Sequence, residues 1–207
     1  GPKTLAIGAG GEATIVATHS PSMIERPGCG PGLLAGNPFQ EVMEESVRRA
    51  GVGFVMNVVP CGPGWAYFAG ATRAAHHRAV AFAARLFEAP VSGGFEVAVC
   101  GVPHPKSASL YQASRAVSYL ALSPRPVLAP GATLILACTL EEGAGQGPGE
   151  SRFLAAMRGA AGRPQALLAE LRRRPLLPGE QRAFVMALVL SRHRVVVVSG
   201  RADVARQ

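Results

Sequence analysis

Short apolar runs alternate along the chain with stretches whose apolar positions recur every three or four residues. Residues 54–59 (Phe-Val-Met-Asn-Val-Val), 95–100 (Phe-Glu-Val-Ala-Val-Cys), 132–137 (Ala-Thr-Leu-Ile-Leu-Ala) and 195–198 (four Val) are β-branched and bounded by Gly or Pro. They predict buried strands. Asn37-Pro38 opens a helix with an N-cap and a first-turn proline; Phe39, Val42, Met43, Ser46, Val47 and Ala50 share one face, and Gly51 ends it. Residues 71–88, 110–122, 152–173 (split by 159–164) and 179–191 give further helical patterns. Strands alternating with helices predict an α/β fold, a three-layer, Rossmann-like, mainly parallel sheet flanked by helices.

Residues 1–36 break the pattern. They are rich in Gly and Pro and carry only residues 13–18 as one or two helical turns. Such a segment does not bury a core of its own, so it reads as an irregular crossing segment preceding an α/β domain over 37–207. The leading Gly-Pro could be a tag remnant, a reading that leaves Lys3 untouched.

At 207 residues, 48% hydrophobic and 16% charged, the chain is long enough for one sizeable core. No run of eighteen apolar residues is present, which argues against a membrane span, and no signal-peptide pattern is visible, so a cytoplasmic location is expected. The net charge of +8 would suit a polyanion, but the arginines are scattered, apart from 172–174 and the pair Arg192 and Arg194, and no aromatic residues interleave with them. Nucleic-acid binding is therefore not expected. Cys29, Cys61, Cys100 and Cys138 are too far apart for a zinc or redox motif and read as three small buried hydrophobes and one loop thiol, Cys29.

In a parallel sheet, ligands gather at the carboxyl ends of the strands, which points to residues 60–64, 101–111 and 141–150. Gln112 and Arg115 follow the second of these on one helix face, an amide and a guanidinium fork suited to a carboxylate. The run 143–149 is glycine-rich but lacks the lysine and hydroxyl ending of a nucleotide loop, so an active-site loop or plain linker is preferred. Asp203 is the sole aspartate, which leaves no credible Ser-His-Asp set. By spacing alone Lys3 reads as a solvated charge and His19 as a helix-end histidine. His76-His77 diverge on a helix, His104 reads as turn-exposed and His193 as surface.

One resemblance raises Lys3 and His19 above that reading. Gly1-Pro2-Lys3 with His19 sixteen residues on, then Gly36-Asn37-Pro38-Phe39, Asn57-Val58-Val59, Phe68-Ala69-Gly70, Ala75-His76, residues 101–105 and Leu110-Tyr111-Gln112-Ala113, resemble in order and spacing the recurring segments of the nickel-dependent lactate racemase family. The resemblance implies a nickel pincer nucleotide, a pyridinium dithio cofactor tethered to Lys3 with its nickel ligated by His19. It also implies that Gln112 and Arg115 meet a small 2-hydroxy acid, racemised by reversible hydride transfer. The family's paired catalytic histidines lie upstream of the tethering lysine. The chain therefore resembles a C-terminal portion that a missing N-terminal catalytic domain would complete, whether by truncation or as a split subunit.

Three positions depart from the family. Arg115 stands where the family has lysine, Gln181 where it carries tryptophan near the cofactor, and Ile7 where it usually has proline. These make a related 2-hydroxy acid, rather than lactate, the expected substrate class. A noncatalytic α/β binding or interaction domain is the alternative, and homo-oligomerisation stays open.

Overall fold

A computed structural model describes residues 13–160, 162–201 and 203. Residues 13–18 are helical (α1), followed by α2 (Pro21–Ile24), α3 (Pro38–Arg49), β1 (Val55–Cys61), β2 (Gly64–Gly70), α4 (Thr72–Phe87) and β3 (Phe95–Gly101). A 3-10 turn over Lys106–Ala108, α5 (Leu110–Ala121), β4 (Leu128–Ala137), α6 (Pro148–Ala160), α7 (Pro164–Leu171), α8 (Glu180–Leu190) and β5 (Arg194–Val198) complete the order.

The expected α/β, Rossmann-like architecture is present. Strands β3, β4 and β5 form a parallel sheet in that order, and helices flank it. One face of each strand (Ala98 and Cys100, Leu134 and Leu136, Val195 and Val197) packs on a core shared with α5, α6, α7 and α8. Phe153, Phe184, Leu171, Val117 and Val189 are completely enclosed there. Burying side chains of this size contributes roughly 1.5–3 kcal/mol each, which makes this layer the main source of stability.

The first expected strand corrects the reading in one respect. β1 does not join the parallel sheet; it pairs antiparallel with β2, a strand the apolar-run pattern passed over. Gly62, at φ 60°, supplies the left-handed residue that the two-residue loop between Cys61 and Gly64 needs. Residues 60–64 are thus a hairpin turn and not a ligand-gathering sheet edge. The hairpin's inner face, Asn57, Val59 and Phe68, turns to α4, where Phe68 meets Phe82 at a ring separation of 5.3 Å. Its outer face leaves Met56, Val58, Trp65 and Tyr67 exposed.

The glycine-rich run after β4 is also explained. Gly145 and Gly147 close around the side chain of Glu150 so tightly that a Cβ at either would collide with it. The run therefore wraps a carboxylate and leads into α6. Of the cysteines, Cys138 is buried and Cys29, Cys61 and Cys100 are half-buried, all as free thiols.

Candidate functional site

The cavity that gathers the chemistry lies on the helical side, between the segment from α1 to the start of α3 and the faces of α5 and α8. Its volume is about 900 Å³. His19, Arg115, Gln181 and Arg182 line it, with Tyr111 and Ser118. This differs from the expected position at the carboxyl ends of the strands. There, loops 101–111 and 141–150 do meet, through backbone bonds such as Leu110 N–H to Gly143 O (2.9 Å), but that edge is a shallow surface.

Local sequence fixes each wall. Asn37 caps α3 by accepting from the Phe39 N–H (3.0 Å), and its amide donates to Gly30 O and Leu33 O (3.2 and 3.1 Å). One buried side chain thus starts a helix and holds the preceding loop. Gly28, at φ 84°, rests against the carbonyl of Gly36, an approach that leaves no room for a Cβ. The loop is thereby folded back, and His19 is packed edge-on to Phe39 (5.3 Å). On the opposite wall Ser109 caps α5, and Gly179, at φ 104°, brings the start of α8 against Gly149 at the start of α6.

His19 is oriented by its own helix. Nδ1 lies 3.1 Å from Ile15 O and 3.0 Å from Thr18 Oγ1, and Thr18 Oγ1 itself donates to Thr14 O (2.6 Å). A carbonyl only accepts, so Nδ1 carries the proton and the neutral ring's lone pair resides on Nε2. That is the tautomer a metal-ligating imidazole adopts when a second partner holds its other nitrogen.

The α5 and α8 wall is cationic. Arg182 donates from Nη1 to Ser118 Oγ (3.0 Å), and Ser118 Oγ donates to Arg115 O (2.9 Å). Arg115 stacks over the Tyr111 ring at 6.0 Å. The Nε atoms of both guanidiniums are buried with no hydrogen-bond partner. Burial, and then the Arg115 charge, pushes Arg182 down to about 10. Gln181 bridges the wall, its Oε1 accepting from the Gly179 N–H (2.6 Å) and its Nε2 lying 3.4 Å from Tyr111 Oη.

Of the sequence-derived residues, His19 and Arg115 meet in this cavity. Gln112, one turn before Arg115, is not among its lining; its N–H donates to the Ser109 cap (3.4 Å). Lys3 lies outside the described residues. Arg182 and Ser118 were not singled out from the sequence, and Gln181 was noted only as a departure. His77 Nε2 donates to the Glu44 carboxylate (3.2 Å), and burial followed by the His77 charge pushes His76 down. His193, expected at the surface, is half-buried with its Nδ1 enclosed and unpartnered. Among the described residues no group of three or more His, Cys, Asp or Glu side chains could hold a metal ion unaided. Any further donors to a metal at His19 would come from outside the described residues.

No family model matches the chain, and no curated protein matches it. Among solved structures it is similar to the lactate racemase apoprotein of Thermoanaerobacterium thermosaccharolyticum, with a TM-score of 0.77 and 22% identity over 91% of this chain and 44% of that one. At that identity the likeness establishes the fold. The chain spans less than half the length of that racemase. No helix among the described residues is long and apolar enough to cross a membrane.

Proposed function

We propose that the chain is the C-terminal portion of a nickel-dependent 2-hydroxy acid racemase or epimerase, its active site completed by an N-terminal catalytic domain. The observation that carries this reading is that His19, its Nδ1 proton directed to Ile15 O, and Arg115 line one cavity of a fold similar to that of a lactate racemase. The residues suit a nickel pincer nucleotide because such a group brings three donors of its own and needs one imidazole for a four-coordinate site. When bound, that group supplies a hydride-accepting ring and its nickel. Lys3 would be its tether and His19 its nickel ligand, while Arg26 and Arg192, at the cavity rim, are the cations for its phosphate.

This chain's residues then bind and orient. Arg115 offers a paired donor fork to the carboxylate of the substrate, and Tyr111, under that guanidinium, limits where the fork points. Gln181 holds the Tyr111 hydroxyl and occupies the position where the lactate racemase family carries tryptophan. Gln112, one turn from Arg115, supplies an amide to the same substrate once the second domain closes the site. Proton exchange at the substrate hydroxyl falls to histidines of that second domain.

The test is intact mass and nickel content of the complete protein made together with the cofactor-synthesis enzymes. Added mass on Lys3 and one equivalent of nickel are expected; Lys3→Ala should lose both and His19→Ala the nickel. A chain with neither mass nor nickel refutes the reading.

A further inference from the structure

We infer that the substrate of this cavity is a dianion, a 2-hydroxy acid with a second carboxylate, Arg115 taking the carboxylate beside the hydroxyl and Arg182 the distal one. The inference rests on the proposed racemase reading and narrows its substrate class. Four arginines line the cavity, Arg26, Arg115, Arg182 and Arg192, against one carboxylate, Glu25. Glu25 is already bound by Arg172 at 2.6 Å, and among the described residues none of the four arginines is in an ion pair.

The inner two are the informative ones. A guanidinium has five N–H donors, and Arg182 uses one of them, on Ser118, while its enclosed Nε meets nothing. Arg115 has the Tyr111 ring and an equally enclosed, unmet Nε. Holding two such cations in one cavity, each with an enclosed Nε, is costly unless anions arrive to pair with them. One carboxylate neutralises one guanidinium and leaves the other facing it uncompensated. Ser118 ties Arg182 to the helix that carries Arg115, its hydroxyl donating to the backbone carbonyl of Arg115 and accepting from Arg182 Nη1, and neither guanidinium is neutralised by that link. A three-carbon monocarboxylate would satisfy half of this arrangement. A 2-hydroxy dicarboxylate such as malate brings one carboxylate for each guanidinium.

The test is titration calorimetry of the intact protein with malate, lactate and inorganic phosphate, for the unaltered sequence, Arg182→Met and Arg182→Lys, each first checked for an unchanged far-UV circular dichroism spectrum. Malate should bind about 10- to 100-fold more tightly than lactate, the preference collapsing to near unity in Arg182→Met and being partly restored in Arg182→Lys. Equal binding of malate and lactate, no malate binding at millimolar concentration, or a preference untouched by Arg182→Met overturns the inference. So does a phosphate affinity that Arg182→Met abolishes while malate preference stays, since Arg182 would then serve a nucleotide phosphate. Malate preference that depends on Arg182 in a protein that gains neither mass on Lys3 nor nickel would leave the dianion site standing and remove the racemase reading.

Discussion

Glu180 opens α8 and carries a concentrated share of the cavity wall's stability. It is 7% exposed, and its carboxylate accepts from Arg174 Nη1 (2.7 Å), Arg174 Nη2 (2.8 Å) and the Leu177 N–H (2.7 Å). Glu180→Gln keeps the shape, removes the charge, and turns an NH2 toward a guanidinium. Hydrogen bonds to a charged group contribute about 1.5–3 kcal/mol, and the 39% exposure of Arg174 discounts its part through solvent screening. The expected loss is about 2 kcal/mol, or a fall in Tm of roughly 4–8 °C for a chain of this size. Urea unfolding followed by far-UV circular dichroism measures it.

The pH dependence supplies a second check. Arg174 foremost holds the Glu180 carboxyl below its ordinary value, against the opposing effect of burial. Between the folded and unfolded pKa the unfolded chain binds the extra proton, so this stabilisation is complete above the unfolded value, near about 4.3, and is lost as pH falls through the folded one. The gap between wild type and Glu180→Gln should therefore close in acid. A gap under about 0.5 kcal/mol at pH 7, or one that stays constant into acid, refutes the reasoning.

Three further outcomes are expected. Gly179→Ala should destabilise by more than about 1–3 kcal/mol, because φ is 104° and the new Cβ would strike Gly149, whereas Gly149→Ala meets only ordinary contacts in a helix and should be neutral or stabilising by thermal melt. Arg182→Met should raise the stability of the ligand-free protein by about 1–2 kcal/mol at pH 7. Because the folded Arg182 pKa is depressed to about 10, the wild-type penalty should fade as pH rises from there toward the ordinary arginine value, and the advantage of the variant with it. Cys29 lines the cavity and burial raises its thiol pKa, so its alkylation, read by mass spectrometry, should be slower than in urea-denatured protein and slower still with malate present.

The helix at Asn37-Pro38 was legible because cap, first-turn proline, apolar face and terminating Gly51 all agree within fifteen residues. The strands of the parallel sheet were legible as short apolar runs bounded by Gly or Pro, but the expectation that they are buried holds for one face only: β3 leaves Phe95, Val97 and Val99 exposed on the other. β2 was missed because its alternation, Trp65, Tyr67 and Ala69 outward against Ala66 and Phe68 inward, hides among glycines and alanines. The two-residue Gly62-Pro63 link between alternating runs was the available signal. His19 and Arg115 were each readable from the resemblance, but their meeting depends on the loop that Gly28, Gly36 and Asn37 fold back, a tertiary event with no local period. Arg182 did leave a trace: it is a lone cation near the start of Glu180–Leu190, a helix whose other residues are mostly buried, and a charge in such a place asks for a partner.

Trp65 is the sole tryptophan, and it stands 60% exposed on the outer face of the β1–β2 hairpin, away from the core and from the cavity. Intrinsic emission from this protein is consequently a local signal. It already comes from a wet indole in the native state, so unfolding changes its surroundings little, which is why circular dichroism has to follow stability. For the same reason, anything that covers Met56, Val58 and Tyr67 would dry the indole and move its emission to the blue, giving the hairpin face a built-in optical reporter that needs no label.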